Sequence, residues 1–92
     1  MSYIYIIGSI SSPYKIGFSK EPQKRLKSLQ TGYPHKLSLL YTKEVLESDV
    51  KNIEKKIHKV LNHKRTKGEW FNILLEDAIL EIHYAVIRYE KV

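Results

Sequence analysis

Apolar and polar positions follow two different periods along this chain. Residues 3 to 7, Tyr-Ile-Tyr-Ile-Ile, are β-branched or aromatic throughout, and Gly8, Ser9, Ser11, Ser12 and Pro13 follow as turn residues. That composition predicts a strand and a reversal. A second strand is expected over Tyr14 to Phe18, so the two form a hairpin. Ser19, ahead of Pro22 and Gln23, is the expected N-cap of a helix, because proline is tolerated in the first turn, where its missing N–H has no intrahelical partner. This helix carries Leu26 and Leu29 and is expected to stop at Gly32 in left-handed geometry. Leu37, Leu39 and Tyr41 then alternate with Ser38, Leu40 and Thr42, which predicts a third strand over residues 37 to 45 with at least one buried side.

The second half changes to helical period. Val50, Ile53, Ile57, Val60 and Leu61 recur at helical spacing behind Ser48, the expected cap of a longer helix. After the polar stretch HKRTKGE and the pair Trp70-Phe71, a last helix is expected from about Leu75, with Ile79, Ile82, Val86 and Tyr89 along one side. The expected class is α+β: a small three-stranded antiparallel sheet flanked by helices, in the order β-β-α-β-α-α. No internal repeat or low-complexity segment interrupts it, and residues 1 to 92 are expected to form a single domain.

Composition narrows the function classes. The chain is 42% hydrophobic and 28% charged, which fits a folded protein. It has no apolar run near the roughly 20 residues that cross a bilayer and no signal-peptide layout, so an intracellular protein, cytoplasmic or nuclear, is expected. Without cysteine, disulfides and thiolate metal sites are excluded. The net charge of +6 is unevenly placed: Lys51 to Lys67 holds seven Lys or Arg against the single acid Glu54, whereas Gly68 to Val92 holds five acids and two bases. One basic face is therefore expected, and polyanions are its natural partners, although a Lys-rich helix can equally be a solvated surface. Lys24, Lys27, Lys55, Lys59, Lys64 and Arg65 are the candidate nucleic-acid contacts.

A few polar residues stand where apolar ones are expected. Alternation puts Tyr3, Tyr5 and Ile7 on one face of the first strand and Ile4 and Ile6 on the other, so if the isoleucines face the core the tyrosines do not. Lys15 interrupts an apolar run and needs a partner, for which a phosphate is suitable. Arg25 lies at the edge of the first helix's apolar stripe, and its planar fork suits phosphate. Glu54 neighbours Ile53 on the core side of its helix. It could pair with Lys51 or His58 along the helix, or hold one Mg²⁺. His58 and His63 do not make the HExxH zinc pattern.

In this order the pieces resemble a GIY-YIG nuclease domain, and more narrowly the compact T5orf172/MUG113-like subgroup of phage and fungal proteins. The carriers are Tyr3-Ile4-Tyr5, Lys15-Ile16-Gly17, the run PQKRLKSLQTGYP with Arg25, Glu54 with His58, and Gly68-Glu69-Trp70-Phe71; together they span residues 2 to about 75. The resemblance implies hydrolysis of phosphodiester bonds, in DNA more than in RNA, with one Mg²⁺ or Mn²⁺. Tyr5 would be the general base, which requires a phenol pKa below the free value of about 10. Lys15 would orient water or assist the base, Arg25 would stabilise phosphate charge, and Glu54 would hold the metal. Tyr3 replaces the first motif's glycine and Lys15 the second motif's tyrosine, unless Tyr14 takes that role; Leu29 stands where many relatives carry His or Tyr. Asn72 is the nearest counterpart of a late Asn, and His58 is a further auxiliary candidate. A chain of this size could act as a homodimer or through a targeting partner. The alternatives are a non-catalytic nucleic-acid-binding module on the same fold and a basic docking surface for an acidic protein.

Overall fold

A computed structural model describes residues 1–90. The elements in chain order are β1 (Ser2–Gly8), β2 (Tyr14–Ser19), α1 (Pro22–Gln30), β3 (Ser38–Val45), α2 (Glu47–Val60), a 3₁₀ turn (Asn62–Lys64), β4 (Arg65–Lys67), β5 (Trp70–Phe71) and α3 (Leu75–Glu90). The class is α+β as expected, but the sheet has five antiparallel strands rather than three, in spatial order β3-β1-β2-β5-β4. The two additional strands come from the polar stretch and the Trp-Phe pair that follows it. A strand of two residues is too short to show a period; its pairing of Phe71 with Tyr14 and Arg65, and of Trp70 with Lys15 and Lys67, makes it one. Between them Gly68 takes φ +56, the left-handed conformation that glycine adopts without a Cβ penalty.

Both faces of the central hairpin are covered, which corrects the expectation that the tyrosine face lies outside the core. On one face Ile4, Ile6, Tyr14 and Ile16 pack with Val50, Ile53 and Ile57 of α2, Phe71, and Ala78, Ile82 and Val86 of α3. On the other, Tyr5, Ile7 and Leu37 are buried under Leu26 and Leu29 of α1, with Tyr33, Leu39 and Trp70 around them. α1 has no fully buried residue of its own, so its leucines form only a partial cover over this face.

Local details differ from the sequence pattern for identifiable reasons. The β1–β3 register shifts between Ile6 and Ile7, so Tyr41 pairs with Ile6 and Leu39 with Ile7. This bulge at Leu40 sends Tyr41 to the opposite face from Leu37 and Leu39, where alternation alone put all three together. Ser19 is not the cap of α1: its hydroxyl accepts the Glu21 N–H at 3.0 Å, and Glu21 is the residue before the helix. Ser48 lies inside the first turn of α2, which starts from Leu46 without a side-chain cap. α1 ends through right-handed Thr31 rather than a left-handed Gly32, and the Gln30 amide organises the following loop by donating to His35 and accepting from the Leu37 N–H at 2.7 Å.

Candidate active site

The register of β1 and β2 sets the first part of the site. Tyr5 pairs with Gly17 and Ile7 with Lys15, so Tyr5, Lys15 and Gly17 share the face under α1. Gly17 leaves a gap on that face that neighbours fill: an ideal Cβ there would stand 2.5 Å from the Tyr5 hydroxyl and 3.1 Å from Glu69 Oε1. The phenol and the carboxylate therefore converge on the space left by a missing side chain. Lys15 is 7% exposed, and its Nζ lies 3.0 Å from Glu69 Oε1 and 5.8 Å from the centre of the Trp70 ring. The buried ammonium thus has a carboxylate partner within the protein, where the sequence suggested a phosphate.

The second part comes from the far side of the sheet, around the β2 edge. The paired residues of β5 end opposite Lys15. One step further along β2, the Ile16 N–H still donates to the Glu69 carbonyl at 3.0 Å, while the Ile16 carbonyl lies 2.8 Å from His58 Nε2. A carbonyl only accepts, so Nε2 is the nitrogen that donates to it. The His58 ring also packs against Phe71, 5.1 Å between centroids, which steadies it from the core side. Glu54 lies one turn earlier on α2. Ligand atoms of Glu54, His58 and Glu69 all fall within 4.8 Å of one another.

Two carboxylates and one imidazole nitrogen form a candidate donor set for a divalent cation. The electrostatics of the site follow from burial and crowded carboxylates, with Lys15 and Arg25 acting against them. Burial, then the neighbouring Glu69, pushes the Glu54 carboxyl up to about 7, against a smaller lowering by Lys15. The Tyr5 phenol is also raised, chiefly by burial, with further contributions from Glu69 and Glu54. Arg25 beside its hydroxyl acts in the opposite direction. This reverses the depressed phenol pKa expected of a general base, because the sequence does not reveal that Tyr5 is buried next to two carboxylates.

Of the residues singled out in the sequence, Tyr5, Lys15, Arg25, Glu54 and His58 are brought together. Tyr14 is not: it lies on the other face of β2, where its ring fills the space beside Gly8, so it cannot take the place of Lys15. Asn72 accepts a hydrogen bond from the Ser12 hydroxyl at 2.8 Å, away from the cluster. The polar residue that this hairpin does deliver is Glu69. Lys55, Lys59 and Arg65 line an open groove of about 740 Å³ that also includes Glu54, His58 and Tyr89. Lys24 lies with Arg25 on α1, 3.6 Å from Glu21, and Lys27 is an exposed residue in the last turn of that helix. Lys64 faces a different hollow with Asp77 and Glu81. The expected single basic face is therefore divided. Glu69 and Gly17 had no role in the sequence reading, although both belong to the short motifs GEWF and KIG.

A family model, the T5orf172 domain, matches residues 2–86. The chain belongs to the T5orf172 domain family. The match takes in every element from β1 to most of α3, and with them every residue of the cluster. T5orf172 domains are associated with nuclease-like domains related to GIY-YIG. No curated protein and no solved structure gives a significant match. This T5orf172 domain contains no helix long and apolar enough to cross a membrane among its described residues.

Proposed function

We propose that this chain is a divalent-metal-dependent endonuclease of the GIY-YIG type that hydrolyses phosphodiester bonds in DNA. The observation that carries the reading is the convergence of Tyr5, Lys15, Arg25 and Glu54 at one sheet edge, although the four come from β1, β2, α1 and α2. Unrelated structural needs do not explain why a buried lysine, a buried tyrosine and a half-buried glutamate meet beside an exposed arginine.

In this reading Tyr5 takes a proton from the attacking water and Arg25 braces the phosphate oxygens with its fork. Lys15, at the base of the cleft, adds positive charge toward the same phosphate. Glu54 would hold the ion, Mg²⁺ or Mn²⁺, with the His58 ring nearby, and such an ion would supply charge stabilisation to the departing oxygen. The carboxylates that raise the phenol are those whose charge a bound cation offsets, which brings Tyr5 closer to the ionisation a base needs.

Supercoiled plasmid incubated with Mg²⁺ or Mn²⁺ tests the reading, with Glu54→Ala and Tyr5→Phe alongside. Nicking by the wild type and its loss in both variants is the expected result; an inert wild type, or variants that cut equally well, rejects it. The groove with Lys55, Lys59 and Arg65 favours one second reading, a nucleic-acid-binding module without catalysis. Salt-sensitive DNA binding that is indifferent to metal and to Glu54 would mark that alternative.

A further inference from the structure

Glu69 faces two positive demands at once. Its Oε1 is 3.0 Å from Lys15 Nζ, and its carboxylate is one of the three donor groups within 4.8 Å that include Glu54 and His58. Lys15 is the more deeply set partner, with 9% of its side chain exposed against 39% for Glu69. Leaving an ammonium at that depth without a counter-charge is costly, so Glu69 is what Lys15 requires while the cleft holds no other anion.

We propose that Glu69 is a ligand of the divalent cation and that Lys15 is its competitor for that carboxylate. Lys15 holds Glu69, with its Nζ 3.0 Å from Oε1. A cation seated among Glu54, His58 and Glu69 draws the carboxylate away, and Lys15 is left needing a new anionic partner. On the nuclease reading, the substrate phosphate is that partner, so cation and phosphate each improve the site for the other. The cation-binding part stands on donor geometry alone; only the assignment of the freed lysine to a phosphate rests on the nuclease reading.

Titration with Mn²⁺, followed by loss of the free-ion electron paramagnetic resonance signal at low ionic strength, tests this without any cleavage assay. Lys15→Met retains the stem and removes the charge, so no buried ammonium is left unpaired, and a melting curve confirms that the variant folds. Adding Glu69→Gln in that background then isolates the carboxylate. Lys15→Met should bind Mn²⁺ about three- to tenfold more tightly than wild type, since a like charge within a few ångströms is removed. The double variant should bind at least about tenfold more weakly than Lys15→Met. Equal or weaker binding by Lys15→Met overturns the competition, and unchanged binding in the double variant overturns Glu69 as a ligand. A wild type that binds no Mn²⁺ overturns both. Wild-type Mn²⁺ binding with this pattern but no nicking would reject the nuclease and leave the cation site standing.

Discussion

The Tyr5 hydroxyl occupies the volume that any side chain at Gly17 would need: a Cβ there would stand 2.5 Å from the hydroxyl oxygen and 2.7 Å from the ring carbon bearing it. The obstructing atoms belong to a buried ring, 1% exposed, and cannot swing aside like the end of a flexible chain. Gly17→Ala should therefore displace the phenol from Glu69 and Arg25. Overpacking of this kind costs about 1–3 kcal/mol of stability, visible as a lowered melting temperature, and nicking should fall with it. Wild-type melting and activity in Gly17→Ala would show that the phenol's position does not depend on the glycine.

Tyr5 is raised by burial and by two carboxylates, so at neutral pH most of the phenol is protonated and the rate should depend on its ionised fraction. With metal saturating, nicking should increase about tenfold per pH unit on the acid side of the phenol's pKa. Tyr5→Phe should lose about a hundredfold or more and lose that slope. The phenol is raised above its ordinary value of about 10, so a range of about pH 7 to 9 lies on its acid side, and a flat wild-type profile there would assign the base elsewhere.

Glu54 gives the metal-free protein a pH-dependent stability of opposite sense to the usual carboxylate. Its folded value of about 7 exceeds the ordinary 4.5, so the folded state holds the proton more tightly than the unfolded one. The penalty is absent below 4.5, grows as pH rises, and is fully present above 7. Urea unfolding of metal-free protein should therefore show stability declining across that window. Glu54→Gln should flatten the decline and raise stability on the alkaline side while abolishing nicking.

Arg25 is exposed beside the Tyr5 hydroxyl, and the proposed mechanism uses its planar fork on the phosphate. Arg25→Lys keeps the charge but loses bidentate geometry and should reduce the rate about a hundredfold with little change in melting temperature. Retention of most activity would indicate that charge alone suffices.

Lys55, Lys59 and Arg65 share the groove with Glu54 and His58, whereas Lys64 faces Asp77 and Glu81. For duplex DNA, each phosphate contact removed should lower the slope of log affinity against log salt by about 0.9. Lys55→Ala and Lys59→Ala should each show that loss in a fluorescence anisotropy titration, and Lys64→Ala should not. Equal effects of all three would restore the single basic face that the charge distribution suggested.

The sequence by itself determined the longer elements: β1, β2, most of β3 and the three helices are visible as apolar runs, alternation or helical spacing, because each sets several apolar side chains against its neighbours. It also marked Tyr5, Lys15, Arg25 and Glu54, residues whose polarity conflicts with their apolar neighbours or whose motif is recognisable. What only the tertiary structure decided are relations between distant segments. A two-residue strand exists because Trp70 meets Lys15; a glycine is required because a tyrosine from the neighbouring strand fills its space; and Glu69 enters the cluster because its hairpin folds back onto β2. The protonation preferences of Tyr5 and Glu54 belong to the same group, since desolvation and neighbouring charge act through space and leave no periodic trace along the chain.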